Sequence, residues 1–187
     1  IVSKTAEKVF IPMTVGGGIK TLSDINNLLK VGADKISINT SAILNETLVK
    51  EASESFGSQC IVVAVDVKKD KNDWIVYSHG GTVNTEINAL NWLERLQKLG
   101  AGEILLTSMD KDGTKSGFDL ELLKMATKIL KIPVIASGGV GKLEHFEEGV
   151  SIGGASALLA ASVFHFAEFS IKEVKNFLNQ KNISVRL

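Results

Sequence analysis

Asp66 ends a run of five apolar residues, Ile61-Val62-Val63-Ala64-Val65. A carboxylate at the end of a buried strand costs free energy unless it is paired or opens into a solvated site. Two readings follow: an acid–base group at the mouth of the strand, or a helix cap or ion-pair partner for Lys68 or Lys69. The next apolar run leads into a second polar stretch, Thr107-Ser108-Met109-Asp110-Lys111-Asp112-Gly113-Thr114. Asp112 is suited to be a second acid or base, or to grip hydroxyls, and Thr107 to hydrogen-bond a substrate. The plain alternative is an ordinary Asp-Gly turn.

A third kind of chemistry is carried by glycines. Ile11 to Gly18 reads IPMTVGGG, and Ile132 to Gly139 reads IPVIASGG. Leu22 and Leu143, Gly32 and Gly153, and Ser41 and Ser162 keep the same offset of 121 residues. Self-similarity at a fixed offset marks duplicated supersecondary units. Each copy is an apolar strand, a Gly-rich turn, a helix, and a second strand ending in small residues, Asn39-Thr40-Ser41 or Ala160-Ala161-Ser162. Gly-rich turns present backbone N–H groups at helix N-termini and hold phosphate. Gly18, Gly138 and Gly139 allow that close approach. Two copies imply a substrate with a phosphate at each end.

Other candidates are fewer. Lys35 and Glu103 stand at the starts of two apolar strands. Charges there must be paired, either as a structural floor or as a gate or docking feature. His79, His145 and His165 have no metal-ligand spacing with other His, Cys or carboxylate groups, so no metal and no cofactor is assigned. Cys60 is the single cysteine, which excludes an internal disulfide, and it lies beside the apolar run as a structural thiol. Trp92 with Leu90, Leu93 and Leu96 reads as the core face of a helix.

The elements that must position these residues alternate along the chain. Strands are expected at Ile11–Val15, Lys35–Ile38, Cys60–Val67, Glu103–Thr107, Val134–Ser137 and Ala157–Ala160. They are short and mostly non-alternating, as for parallel strands buried on both faces. Helices are expected near 22–31, 45–55, 88–99, 119–130, 144–151 and 170–180, with Gly32, Gly100 and Gly153 at C-terminal ends. Trp74 to His79 alternates like an exposed hairpin strand. The 187 residues hold 44% hydrophobic side chains, enough for one sizeable core, so one domain over 1–187 is expected. Lysine plus arginine and aspartate plus glutamate number 21 each, a balance that argues against a general nucleic-acid binder. No apolar run has a membrane-spanning length, and a cytoplasmic setting fits. Repeated β-loop-α units with duplicated phosphate turns favour a (β/α)8 barrel over a doubly wound sheet, because barrels place phosphate sites in their last two units.

Taken together, Pro12 to Ile19, Gly32 to Thr40, Val63 to Asp66, Gly100 to Thr114, Ala136 to Gly139 and Ala160 to Phe166 closely resemble the cyclase subunit family of imidazole glycerol phosphate synthase, from histidine biosynthesis. The resemblance covers the whole chain. It implies a barrel that takes ammonia from a glutaminase partner in a heterodimer. It also implies conversion of a bisphosphorylated ribulosyl-formimino aminoimidazole carboxamide nucleotide into imidazole glycerol phosphate and an aminoimidazole carboxamide ribonucleotide. By the same match, Asp66 is the second aspartate of the catalytic pair. Thr14, Gly18, Asn39, Thr40, Thr107, Asp112, Gly139, Ala161 and Ser162 then line the substrate site. Lys35 and Glu103 belong to a charged ring where ammonia enters, and Asp34 faces the glutaminase at the N-terminal face of the barrel.

The family's first two β/α units, with the other aspartate and a loop lysine, are absent from these residues, so strands 3 to 8 are expected. Ile1 to Val9 reads as the end of helix 2. Six units leave two strand edges open. The stretch alone is expected to be inactive and aggregation-prone, and the molecule to be longer. Three rivals remain: the phosphoribosyl-formimino isomerase of the same pathway, a cyclase-like partner in sugar amidation, and a dead barrel that only binds.

Overall fold

The computed structural model describes residues 1–186. Six parallel strands form an open sheet in the order β1 (Thr14–Gly16), β2 (Lys35–Ile38), β3 (Ile61–Asp70), β6 (Glu103–Ser108), β7 (Val134–Ser137) and β8 (Ala157–Leu159). An antiparallel hairpin, β4 (Asp73–Ser78) and β5 (Val83–Asn88), folds back on β3. Helices follow the strands: α2 (Leu22–Lys30), α3 (Thr40–Leu44), α4 (Thr47–Phe56), α5 (Ala89–Lys98), α6 (Leu120–Ile129), α7 (Leu143–Ser151), α8 (Ser162–His165) and α9 (Ile171–Gln180), with α1 (Val2–Ala6) ahead of β1. The architecture is an α/β half-barrel of parallel strands.

Burial along the strands alternates. Ile36, Ile38, Val63, Val65, Ile104, Leu106, Val134 and Ala136 are buried in one core cluster with helix residues such as Ile25, Val49, Leu93 and Ala126. Burying each Ile, Val or Leu fully contributes about 1.5–3 kcal/mol, so this helix-covered face supplies most of the folding drive. The opposite face carries Lys35, Ser37, Ala64, Asp66, Glu103, Thr107 and Ser137, all only half-buried. The strands are therefore not buried on both faces as their apolar runs suggest. The polar residues of the strands sit at the alternate positions, which they share with Val62, Leu105 and Ile135.

Other boundaries also differ from the sequence reading. β1 starts at Thr14, and Phe10 and Ile11 are exposed. β3 runs on to Asp70, and the hairpin is not a surface strand, because Trp74 and Val76 lie in the core. Its Trp74 Nε1 donates to Asp119 Oδ2 at 2.9 Å, which ties the hairpin to the start of α6. Gly32 and Gly100 adopt left-handed backbone at helix ends, but in the second copy Gly154 does so, not Gly153. Gly153 is needed for space instead, since a Cβ there would sit 2.7 Å from Gly149 O.

The duplication is visible in three dimensions. α2 and α7 start and end at the same offset, as do the ends of β2 and β8 and of α3 and α8. The first copy has a capping box, in which Asp24 Oδ2 accepts from the amides of Lys20 (3.0 Å) and Thr21 (2.9 Å). In the second copy His145 takes the place of Asp24, and its Nδ1 accepts from Gly141 N at 3.1 Å. Among the described residues, no helix is long and apolar enough to cross a membrane.

The hydrogen bond from the Lys20 amide, with those of Thr21, holds the Asp24 carboxyl below its ordinary 3.8. The Ser170 capping box holds Glu173 below 4.5 in the same way. A carboxyl depressed in the folded state contributes stability that is present above its unfolded pKa and lost as pH falls through the folded one. Asp24→Asn and Glu173→Gln should therefore lower the urea midpoint at pH 7. The difference from the parent should shrink below about pH 4. Urea titrations at a series of pH values check this.

Candidate functional site

The polar residues of the inner face converge at the C-terminal ends of the strands. Asp66, Thr107 and Ser137 stand at one register level across β3, β6 and β7. Asn39, just past β2, points at the same place: its Nδ2 donates to Asp66 Oδ2 at 2.8 Å. Burial pushes the Asp66 carboxyl above its ordinary value, and the charge of Asp112 adds to the rise. Hydrogen bonds from Asn39 and Thr107 oppose it. Burial prevails, so this carboxyl keeps its proton to a higher pH than an ordinary aspartate. Neither Lys68 nor Lys69 pairs with it; Lys69 Nζ goes to Glu121 at 2.6 Å. The Asn39 Oδ1 is buried with no partner. It leaves an acceptor on the same amide, available to a proton on Asp66 or to a donor on a ligand.

On one side of Asp66 lies the first Gly turn. A cavity of about 660 Å³ is lined there by Gly17, Gly18, Lys20, Ser37, Asn39, Thr40, Ser41, Ala64 and His79, among others. Among the described residues, the amides of Gly17 and Gly18 enter no turn, loop or cap hydrogen bond, and a Cβ on either would meet nothing within 4 Å. The α2 N-terminus itself is closed by its capping box, so the amides left open there are those of the glycines and not of the helix end.

On the other side lies the second turn, which is packed. Gly117 N donates to Gly139 O at 2.7 Å, and a Cβ on Gly139 would stand 2.2 Å from Gly117 O. A Cβ on Gly138 would stand 3.4 Å from the Asp112 Cα, so the loop from Met109 to Phe118 lies directly over this turn. Ala161 caps α8 and Ser162 begins it, just past β8 and beside that turn. In sheet order the two turns flank the Asp66–Thr107 pair. About four strand spacings, roughly 19 Å along the sheet, separate them.

Two candidates lie elsewhere. Thr14 is level with Lys35 at the start of β1 and does not reach the cavity. Lys35 and Glu103 form an ion pair on the inner face at the opposite end from Asp66. About 13 Å of extended chain separates Lys35 from Asn39. Asp34 is also at that end and accepts from the Met13 amide at 2.7 Å. Sequence reasoning missed Lys20, Ser37 and His79 as lining residues, and named Ser41 only as part of the repeated segment. Ser37 was findable, because it lies two residues from both Lys35 and Asn39 and so shares their face.

The fold and site define a barrel-type β/α protein with a half-buried acid between two glycine turns. The family model described as "Histidine biosynthesis protein" matches residues 1–170, and the chain belongs to that family. It is 59% identical over 189 aligned residues to imidazole glycerol phosphate synthase subunit HisF of Clostridium botulinum (strain Okra / Type B1). That alignment spans 100% of this chain and 75% of the relative. The subunit of the same name from Endomicrobium trichonymphae is 58% identical over 187 residues, spanning 100% of this chain and 72% of its own.

A carboxyl whose pKa is raised in the folded state costs stability once ionised. That cost is full above the raised value and is absent below the unfolded one. Asp66→Asn should therefore raise the thermal midpoint at pH 7, and the gain should vanish below about pH 4. Calorimetry at both pH values tests this. A lower midpoint at pH 7 would mean that the hydrogen bonds from Asn39 and Thr107 outweigh burial.

Proposed function

We propose that this chain works as the cyclase subunit of imidazole glycerol phosphate synthase, a lyase of histidine biosynthesis acting in the cytoplasm. It takes ammonia from a glutaminase subunit. Its substrate is a bisphosphorylated ribulosyl-formimino aminoimidazole carboxamide nucleotide, and its products are imidazole glycerol phosphate and aminoimidazole carboxamide ribonucleotide. The observation that carries this reading is 58–59% identity, along the full chain, to subunits of that name. The open strand order, with β1 and β8 at the edges, supports reading the six parallel strands as strands 3 to 8 of a (β/α)8 barrel, with residues 1–187 in one barrel domain. A polypeptide of these residues alone would carry two unpaired strand edges, and we expect no turnover from it.

The chemistry requires C–N bond cleavage and ring closure, each with proton transfer. Burial holds the Asp66 carboxyl above its ordinary value, so it takes up a proton more readily than an ordinary aspartate and is placed to deliver it to a departing nitrogen. Asn39 and Thr107 fix the carboxyl's direction. Gly18, Asn39 and Thr40 take one phosphate. Gly138, Gly139, Ala161 and Ser162 take the other, with Asp112 beside them to hold hydroxyls. Phosphates anchored roughly 19 Å apart along the sheet place the middle of the substrate over Asp66. Ammonia enters at the end guarded by Lys35 and Glu103 and travels along the polar inner face past Ser37. Asp34 and the adjoining turns form the docking face for the glutaminase.

Turnover by the full-length protein should depend on added ammonium salts when the glutaminase is omitted, as a chromatographic product assay would show. Ammonium-independent turnover would assign the isomerase reaction instead. Asp66→Asn should lower the rate by about 10²-fold or more while substrate binding is kept. Lys35→Met should depress glutamine-dependent turnover of the complex more than ammonium-dependent turnover. Equal losses would remove Lys35 from the ammonia path.

A further inference from the structure

We propose that His79, at the tip of the β4–β5 hairpin, is a substrate-binding residue whose imidazole donates a hydrogen bond to the phosphate held at the first glycine turn. The proposal rests on the reading of that cavity as a phosphate-end pocket, and it adds a ligand from outside the duplicated units.

The hairpin leaves β3 four residues beyond Asp66 and returns its tip to the cavity. The tip is fastened on two sides. The His79 amide donates to Thr40 Oγ1 at 2.9 Å. Two residues on, Gly81 packs against Met109 so closely that a Cβ there would meet Met109 Cε at 2.8 Å. The hairpin thus reaches from the first turn's binding residues to the loop that covers the second. Thr40 accepts from the His79 amide, so its own hydroxyl proton remains free to donate into the cavity.

His79 has φ of +53°, in the left-handed region that disfavours a residue with a side chain. Glycines fill the next two positions, also at positive φ, yet position 79 keeps a side chain. That side chain is held by its neighbour. Ser78 is 3% exposed, and its Oγ lies 2.9 Å from His79 Nδ1. With the serine hydroxyl donating, the ring proton sits on Nε2, which becomes a donor aimed at a ligand. Lys20 brings an ammonium to the cavity lining, and among the described residues no carboxylate lines it. Glycine amides, a threonine hydroxyl, an ammonium and an imidazole N–H together select a phosphate oxygen.

The test uses the isotopically labelled full-length protein, titrated with inorganic phosphate and followed by the amide signals of Gly18, Thr40 and Gly139. Asparagine tolerates the left-handed backbone, so His79→Asn keeps the hairpin, but its amide reaches only as far as Nδ1. Glutamine reaches the Nε2 position. His79→Asn should weaken phosphate binding at Gly18 and Thr40 by about ten-fold, the loss of one hydrogen bond to a charged acceptor. His79→Gln should recover part of that affinity, and the response at Gly139 should not change. KM for the bisphosphorylated substrate should rise in parallel, with kcat falling far less. If His79→Asn binds like the parent while Thr40→Val loses binding, His79 only fastens the hairpin, and the phosphate reading survives without it. If phosphate produces no saturable response at Gly18 and Thr40 in the parent, both this proposal and the reading of the cavity are overturned.

Discussion

Strand side chains alternate between two faces, and here that alternation divides the molecule into a part that folds it and a part that does chemistry. Ile36, Val63, Val65, Ile104 and Leu106 face the helices and are sealed. Their neighbours Ser37, Ala64, Asp66, Glu103 and Thr107 face the other way and stay half-buried. A one-residue slip in register would exchange the two sets and put Asp66 into the helix-covered core. An ionised carboxylate could not be accommodated there without a partner. The placement of the acid is thus enforced by the same packing that stabilises the fold. Its raised pKa follows from sitting on the half-buried face with Asp112 as the nearby charge.

Duplication sets the spacing of the two glycine turns, but the two copies are not chemically alike. The first turn is open, with no atoms packed over Gly17 or Gly18. The second lies under Gly117 and Asp112. The helix caps differ as well: a carboxylate in the first copy, Asp24, and an imidazole in the second, His145, accept equivalent backbone N–H groups. A symmetric pair of turns would bind the two ends of a substrate interchangeably. The differences in what covers each turn give the site a direction, which a reaction centred on one carboxyl requires.

Much of this could be read from the residues. The 121-residue offset locates both turns and the bounds of the helices that follow them, α2 and α7, because glycines and apolar periods survive duplication even where the other residues change. The run ending at Asp66 gives the acid. What stayed hidden depends on long-range placement. Thr14 belongs to the same segment as Gly18 yet sits level with Lys35, because β1 has only three residues and its end, not its start, faces the cavity. Alternation from Trp74 to His79 suggested an exposed strand, but Trp74 is buried through its bond to Asp119, 45 residues away in the chain. The role of Asn39 as the partner of Asp66 also crosses between strands, and no local pattern records it.

The hairpin and the loop from Met109 to Phe118 follow β3 and β6, the two central strands, which carry the acid and its hydrogen-bonding threonine. Each excursion starts beyond a reacting-centre residue and ends against a turn at the flank: His79 at Thr40, Gly117 at Gly139. The loop is also tied to the end of β3 that leads into the hairpin, since Met109 N donates to Val67 O at 2.8 Å and Lys69 N to Asp110 Oδ2 at 2.7 Å. A displacement at either flank therefore reaches the backbone around Asp66 through short, hydrogen-bonded connections, without passing through the outer helices. The duplicated units supply two anchoring points, and the two central excursions couple those points to the carboxyl between them.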